Sequence, residues 1–266
     1  MFVLSDPRRS RRSVAAEPHK KTRGVIDMGV AVVTGAGQGI GKATAQRLAR
    51  DGHHIVAVDR NGDNAAKTAA EVGGESRECD VTDRAAVHAM AATVDGCDIL
   101  INNAGIWRFH SLLDMTEDDA QSVLAVNVLG IVWCTQAFVP KMIERGGGSI
   151  VSLSSGAAWT QSPGLGIYPA TKSAVESLTK TLAIELGQHN IRANAVGPGL
   201  IVSDGTAASY QGDRAKERAK NIPMQRLGDP TEIADVIGFL CSADARYVSG
   251  QVIYIDGAVT AGRTSL

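Results

Sequence analysis

Aromatic side chains are scarce in this sequence: Phe, Trp and Tyr together make up 4% of it. Cysteine is sparser still. Cys79, Cys97, Cys134 and Cys241 lie far apart and form no CxxC pair, so neither a zinc site nor a disulfide framework is suggested. Buried free thiols in a reducing compartment are the expectation, which places the protein in the cytoplasm. No uninterrupted apolar run approaches the ~20 residues of a membrane span, so no membrane partner is expected. Charge of one sign is also lacking, with 27 basic against 28 acidic residues. What is present is glycine, 29 residues of it, in a chain that is 44% hydrophobic and 21% charged. That mixture suits an alternating α/β chain with many tight turns.

The charge is unevenly spread. Arg8, Arg9, Arg11, Arg12, Lys20, Lys21 and Arg23 stand against Asp6 and Glu17, giving residues 1–24 a charge of +5 and leaving the remainder near −6. This leader has no hydrophobic periodicity, so residues 1–27 are expected to be disordered. It has no apolar h-region of a secretory signal, and its two acids count against a transit peptide. Nucleic-acid binding is not expected of it. Met28 stands just before the first strand pattern, so residues 28–266 are expected to form one folded domain.

From Val30 onward, Val/Ile-rich runs alternate with helical patterns. Strands are predicted at Val30–Thr34, Ile55–Asp59, weakly up to Cys79–Val81, then at Asp98–Asn102, Ser149–Leu153, Ile191–Val196 and Val252–Ile255. Helices are predicted at Gly39–Asp51, Asn64–Val72, Thr116–Arg145 (broken once) and Tyr168–Gly187. Continuous apolar strands separated by helices imply a sheet buried on both faces. Right-handed crossovers then give a doubly wound Rossmann domain with a mainly parallel sheet of about seven strands.

The first strand runs into Thr34-Gly35-Ala36-Gly37-Gln38-Gly39-Ile40-Gly41 and then a helix. The spacing fits TGxxxGxG rather than GxGxxG. Glycines let the backbone approach a pyrophosphate, and the helix start offers free N–H groups. Asp59 ends the second strand, where a carboxylate can accept from ribose hydroxyls and repel a 2′-phosphate. NAD is therefore expected over NADP. Arg60 beside it is a counter-signal, because an arginine can grip that phosphate. Tyr168 and Lys172 stand four apart at the start of a helix and so share a face. Alone, this spacing more often describes a surface cation–aromatic pair. Its place after the fifth strand, whose end carries Ser154 and Ser155, puts it where α/β ligand crevices open.

These motifs together resemble the classical short-chain dehydrogenase/reductase family over residues 28–261. Further matches are Cys79-Asp80-Val81, Asn102-Asn103-Ala104-Gly105, Asn127, Pro198-Gly199, Arg226-Leu227-Gly228-Asp229-Pro230 and Ile255-Asp256-Gly257. The resemblance implies Tyr168 as the proton donor and acceptor, with Lys172 lowering its pKa and holding the nicotinamide ribose. A phenol near 10 brought to about 7 needs ~4 kcal/mol of differential stabilisation. Ser155, ahead of Ser154 on family spacing, would hydrogen-bond the substrate oxygen. Asn127 would break its helix and hold a proton-relay water. Asp80 and Val81 would flank adenine, Asn103, Ala104 and Gly105 would line the cofactor channel, and Pro198, Gly199, Ile201 and Ser203 would cradle the nicotinamide. Ser203 stands where the family has Thr. Ala258 replaces the second glycine of the terminal motif, expected to be a small change in packing only. No metal is implied.

The reaction implied is hydride transfer between NAD(H) and a secondary alcohol or ketone, in a homotetramer built through the long helices and the last strand. An NADPH-dependent 3-oxoacyl-acyl-carrier-protein reductase is the alternative within enzymes, although Gln38 stands where those carry a basic residue. A non-catalytic nucleotide-sensing regulator would normally lack the Tyr/Lys pair. Trp107, Phe109, Trp159, Leu165 and Tyr210 fall in the loops expected to line the pocket, and Asp204–Ala219 is expected to form a lid. Arg108 is the one basic residue there that could hold an acidic substrate, so a hydrophobic alcohol is expected.

Overall fold

Five runs of β-branched residues are buried on both faces, and they form the centre of the sheet. In the computed structural model, which describes residues 28–206 and 210–262, seven strands appear. They are β1 (Val30–Thr34), β2 (His54–Asp59), β3 (Glu75–Glu78), β4 (Ile99–Asn102), β5 (Gly148–Leu153), β6 (Ile191–Pro198) and β7 (Val252–Ile255). Their order is β3-β2-β1-β4-β5-β6-β7 and every pairing is parallel. The edge strand β3 reads Glu-Ser-Arg-Glu and has no buried residue, which explains its weak signal. The expected leader, residues 1–27, lies outside the described residues.

The helices are α1 (Gly39–Arg50), α2 (Gly62–Val72), α3 (Arg84–Ala92), α4 (Glu117–Leu124), α5 (Gly130–Glu144), α6 (Tyr168–Leu186), α7 (Gly212–Lys220) and α8 (Pro230–Cys241). On one face of the sheet, Ala45 and Leu48 of α1 meet Ile233, Ile237 and Leu240 of α8 over Val33, Ile99 and Ile101. On the other, Val87 of α3 and Phe138 and Met142 of α5 pack on Val32, Leu100 and Ile150. Neither α3 nor α8 is among the helices predicted from the sequence pattern. Both are capped by side chains: Asp83 accepts from Ala86 N–H, and Asp229 and Glu232 form a reciprocal capping box with Pro230 at the helix start.

The expected long helix is broken once, by a π-helical turn at Ala125–Leu129 between α4 and α5. By length and composition the stretch Glu117–Glu144 could cross a membrane, with a mean hydropathy of 1.8 in its most apolar window. Asn127 interrupts the apolar run, so no unbroken apolar stretch of that length occurs there. Here Ile131, Cys134, Phe138 and Met142, spaced three and four apart, bury one face of it against the sheet. All four cysteines are free and buried.

The order of the strands reverses between β1 and β4. Connections from those two strands leave in opposite directions, and a crevice opens at their carboxyl ends. The glycine loop, Asp59, Asn103 and Ser155 stand at or just past the ends of β1, β2, β4 and β5, while Asn127 lies in the π turn before α5 and Tyr168 and Lys172 at the start of α6.

Candidate active site

The loop after β1 is shaped for close backbone approach. Gly35 and Gly39 have φ of +63° and +55°, and a Cβ on Gly41 would strike the Gly35 carbonyl oxygen. Gly37 is tight against the second strand, for a Cβ there would lie 2.8 Å from Asp59 Oδ2. Gln38 precedes α1 with no side-chain cap, so the first N–H groups of that helix are available to an anion. Ile40 packs beneath the loop against the core. From above, Ser203 closes on Gly39, where a Cβ would meet Ser203 Cβ at 3.3 Å. Ile201 is held in place by a bridge to Gly228, which gives the Arg226–Pro230 motif a structural purpose.

Asn103 does something the sequence did not suggest. Its side-chain amide donates to the carbonyls of Thr34 and Gly35, both at 2.9 Å. Thr34 Oγ1 in turn accepts from the N–H groups of Asn103 and Ala104 at 3.0 and 3.1 Å. The amide expected to line the channel is thus committed to tying the β4 loop to the glycine loop. Gly105, one residue further, faces Asn127 Oδ1 and Lys172 Nζ.

At the β2 end, Asp59 Oδ2 accepts from Gly37 N–H and Oδ1 from Asn61 N–H, both at 2.9 Å. Each carboxylate oxygen keeps further acceptor capacity. Beside it lies a cavity of about 620 Å³ lined by Arg60, Asn61, Glu78, Cys79, Asp80 and Ala86. Val81 is buried against Gly130. The glycine cradle and the free helix start adjoin Asp59, which bonds Gly37 N–H and neighbours the cavity residues Arg60 and Asn61, and together they fit a dinucleotide. Pro198 and Gly199 stand at the far end, Gly199 too close to Asp256 to carry a side chain.

Tyr168, Lys172 and Ser155 converge at the β5 end. Tyr168 is half-buried with its phenol beside Ser155; desolvation pushes its pKa up, and the neighbouring Ser155 hydroxyl pulls the other way. Lys172 Nζ donates to the Leu153 carbonyl at 2.7 Å and lies 5.7 Å from the centre of the Tyr168 ring. Burial drives its pKa down to about 8. Asn127 is fully buried in the π turn, where it accepts from Ile106 N–H and donates to Ile106 carbonyl and Thr171 Oγ1. Its side chain is therefore occupied by protein partners. Ser154 faces away from this corner, bonded to Glu176 Oε1 at 2.8 Å.

An aromatic wall stands beside Tyr168. Phe109 meets its ring edge-on at 6.0 Å, and Trp107 stacks on Phe109 at 6.3 Å. Leu165 closes the turn that leads into Tyr168, its carbonyl accepting the Tyr168 N–H. Trp159 is 64% exposed and makes no aromatic contact with that wall. Arg108 is paired through its Nε with Asp119 at 3.3 Å in a half-exposed contact. Arg218, missed in the sequence, lies over the Tyr210 ring at 5.1 Å. Its distance in sequence from every other motif gave no signal. Of the expected lid, residues 207–209 lie outside the described residues. Before them Gly205 approaches Gln38 and Trp107, and after them comes α7, which buries none of its residues.

The order of the sheet, the glycine cradle and the crevice define a dinucleotide-binding α/β domain of the Rossmann type. Comparison with known proteins narrows this further: the chain belongs to the short-chain dehydrogenase/reductase family of oxidoreductases. The family model described as enoyl-(acyl carrier protein) reductase matches residues 35–260. Dehydrogenase/reductase SDR family member 4 of Sus scrofa is 40% identical over 245 residues, 88% of each chain. A gluconate 5-dehydrogenase from Burkholderia cenocepacia J2315, solved with NADP and tartrate, superposes with a TM-score of 0.85 at 33% identity, covering 90% of this chain and 98% of that one. A 3-ketoacyl-(acyl-carrier-protein) reductase from Brucella melitensis, solved with NADH, superposes at 0.82 with 32% identity, covering 87% and 98%.

Proposed function

We propose that this oxidoreductase transfers a hydride between NAD(H) and a hydrophobic secondary alcohol or its ketone. The observation that carries the reading is the convergence of Tyr168 and Ser155 at the end of β5, with Lys172 buried one helical turn away and its Nζ 5.7 Å from the centre of the Tyr168 ring. In alcohol oxidation the carbinol carbon loses a hydride and its hydroxyl loses a proton, and the proton goes to the Tyr168 phenolate. Ser155 donates to the same substrate oxygen and fixes the carbinol against Tyr168. Lys172 supplies positive charge within reach of the phenolate, which burial alone would disfavour. The nicotinamide, when bound, supplies the hydride acceptor. The glycine cradle and the free start of α1 would hold its pyrophosphate, and Asp59 the adenine ribose.

Two features favour NAD over NADP: the Asp59 carboxylate at the ribose position, and Gln38 rather than a cation in the glycine loop. The wall of Phe109 and Trp107 beside Tyr168, with Arg108 paired to Asp119, favours an apolar substrate over a sugar or hydroxy acid. Likeness to a carrier-protein reductase that was solved with NADH supports a second reading, reduction of 3-oxoacyl thioesters.

The test is a matched panel at fixed NAD, scored by kcat/KM: 1-phenylethanol, cyclic secondary alcohols, polyols, sugars and hydroxy acids, with acyl-carrier thioesters run in the reductive direction. Aromatic and cyclic alcohols are expected to lead. A clear win for sugars or hydroxy acids, or strict NADPH-dependent thioester reduction, rejects the substrate reading. Tyr168→Phe keeps the ring and removes the titrating hydroxyl, so turnover should fall at least a hundredfold while NADH fluorescence titration stays nearly unchanged. Near-normal turnover in that variant rejects the chemistry.

A further inference from the structure

Ser154 sits next to Ser155 yet turns its hydroxyl into the protein, where it is 3% exposed. That hydroxyl lies 2.8 Å from Glu176 Oε1 and 3.2 Å from the Lys172 carbonyl. One proton serves one strong bond, and the shorter contact to a carboxylate is the stronger acceptor. The same oxygen, Glu176 Oε1, accepts from the Tyr254 hydroxyl at 2.6 Å. A single carboxylate oxygen therefore joins the end of β5, the middle of α6 and the strand β7.

The surroundings are cut to fit this junction. Tyr254 lies over Gly197 of β6, where a Cβ would sit within 2.6 Å of its ring edge. Tyr168, Lys172 and Glu176 follow one another at four-residue spacing along one face of α6. Ser155 and Tyr168 belong to different elements, so their separation depends on how the β5 end sits on α6. Two polar links set that seating: Lys172 Nζ to the Leu153 carbonyl, and Glu176 to Ser154. The first belongs to the candidate chemistry. The second has no other assignment.

We propose that Glu176 is a positioning residue that, through Ser154 and Tyr254, fixes the main chain at the end of β5 and so the presentation of Ser155 to Tyr168. Ser155 itself is extended, at φ −166° and ψ 152°, and its Oγ also accepts from Ala157 N–H. Its direction is thus set by the backbone of residues 153–157, which Glu176 anchors from below. Displacement of a reacting group by about an ångström can cost on the order of a hundredfold in rate. The inference rests on the reading of Ser155 and Tyr168 as the reacting pair.

The experiment compares Glu176→Ala, Glu176→Gln, Tyr254→Phe and Ser155→Ala, using the secondary alcohol that leads the panel above and its carbinol-deuterated form. Glu176→Ala should lower kcat at least tenfold, leave the Kd for NADH by fluorescence within twofold, and enlarge the deuterium isotope effect on kcat. Glu176→Gln keeps an acceptor oxygen and should recover kcat to within about threefold of wild type. Tyr254→Phe keeps the ring over Gly197 and should lose threefold or more in kcat; it carries the test if Glu176→Ala does not fold. Wild-type kcat and isotope effect in every folded Glu176 and Tyr254 variant, alongside a hundredfold loss in Ser155→Ala, overturns the positioning role and leaves the site reading standing. Near-normal turnover in Ser155→Ala overturns the site reading itself.

Discussion

Lys172 is a buried cation whose ammonium has the Leu153 carbonyl as its hydrogen-bond partner, and burial outweighs that bond, lowering its pKa from 10.5 to about 8. Between those two values the unfolded chain binds the proton more readily than the folded one, so this residue's contribution to stability rises with pH across that window. Denaturant unfolding of the cofactor-free protein at pH 7.5 and pH 9.5, set against Lys172→Met, should show wild type gaining relative to the variant at the higher pH. An equal difference at both pH values contradicts the buried-lysine account. Asp59 holds two backbone N–H groups and, on the proposed reading, would also face the adenine ribose. With it, kcat/KM for NAD should exceed that for NADP at least tenfold, since contact between like charges costs roughly 1–4 kcal/mol. Asp59→Ser should narrow or invert the ratio and also lose stability by about 1–3 kcal/mol, because one hydroxyl cannot replace a two-oxygen acceptor. A wild type that prefers NADP refutes the reading of Asp59. Ala258 corrects an expectation: its replacement of a glycine is a matter of backbone, with φ at +74°. A Cβ in that region costs about 1–2 kcal/mol, partly offset in the unfolded state by glycine's greater freedom. Ala258→Gly should therefore raise Tm by about 1–4 °C in thermal unfolding, and a lower Tm would count against the strain.

The π turn at Ala125–Leu129 makes the clearest case at the level of elements. It widens the helix so that Asn127 reaches both backbone groups of Ile106 and the Thr171 hydroxyl. This pins the start of the aromatic loop to the helix that carries Tyr168 and Lys172. Asn127→Ala leaves the Ile106 groups without their partner at about 1–3 kcal/mol, so its denaturation midpoint should fall and turnover with it; an unchanged midpoint refutes the pinning. The break in this helix was legible in the sequence, and so was the spacing of Tyr168, Lys172 and Ser155, because both are local patterns. The central strands were legible for the same reason, since a strand buried on both faces must be a continuous apolar run. β3 was faint because an edge strand can be polar throughout. α8 was readable in principle from Asp229-Pro230 and Glu232, a capping signature that the resemblance absorbed before it was used as a helix start. What no local pattern carries is partnership across the sheet. The commitment of Asn103 to the glycine loop, the pairing of Arg108 with Asp119, and the junction of Ser154, Glu176 and Tyr254 each join positions at least eleven residues apart.

Apolar side chains left at the surface argue at the scale of the whole molecule. Leu124, Leu129 and Ile143 on the long interrupted helix are 39%, 43% and 40% exposed, and Ile184 near the end of α6 is 82% exposed. On the other face of the sheet Phe239 of α8 is 40% exposed, and Tyr247, in the approach to β7, is fully exposed. Trp133, expected either at a helix partner or in the core of the same chain, packs in part against its own core. It is half-buried under the Arg84 guanidinium, which stands 5.0 Å from its ring. The six exposed residues fall in two zones, one along the α4–α5–α6 side and one around α8 and the approach to β7, while Leu112, Leu113, Trp159 and Met224 are exposed in loops outside both. Two distinct self-complementary patches on one chain generate a closed assembly of four subunits with dihedral symmetry, whereas one patch stops at a dimer. We therefore expect a homotetramer: light scattering at micromolar concentration should give a mass four times the 27.8 kDa of the chain. Ile184→Glu places a charge in the first zone and Tyr247→Glu in the second, so each should reduce the tetramer to a dimer and the double variant to a monomer. A wild-type chain that stays monomeric under these conditions refutes the assembly, and single variants that remain tetrameric refute the assignment of the two zones.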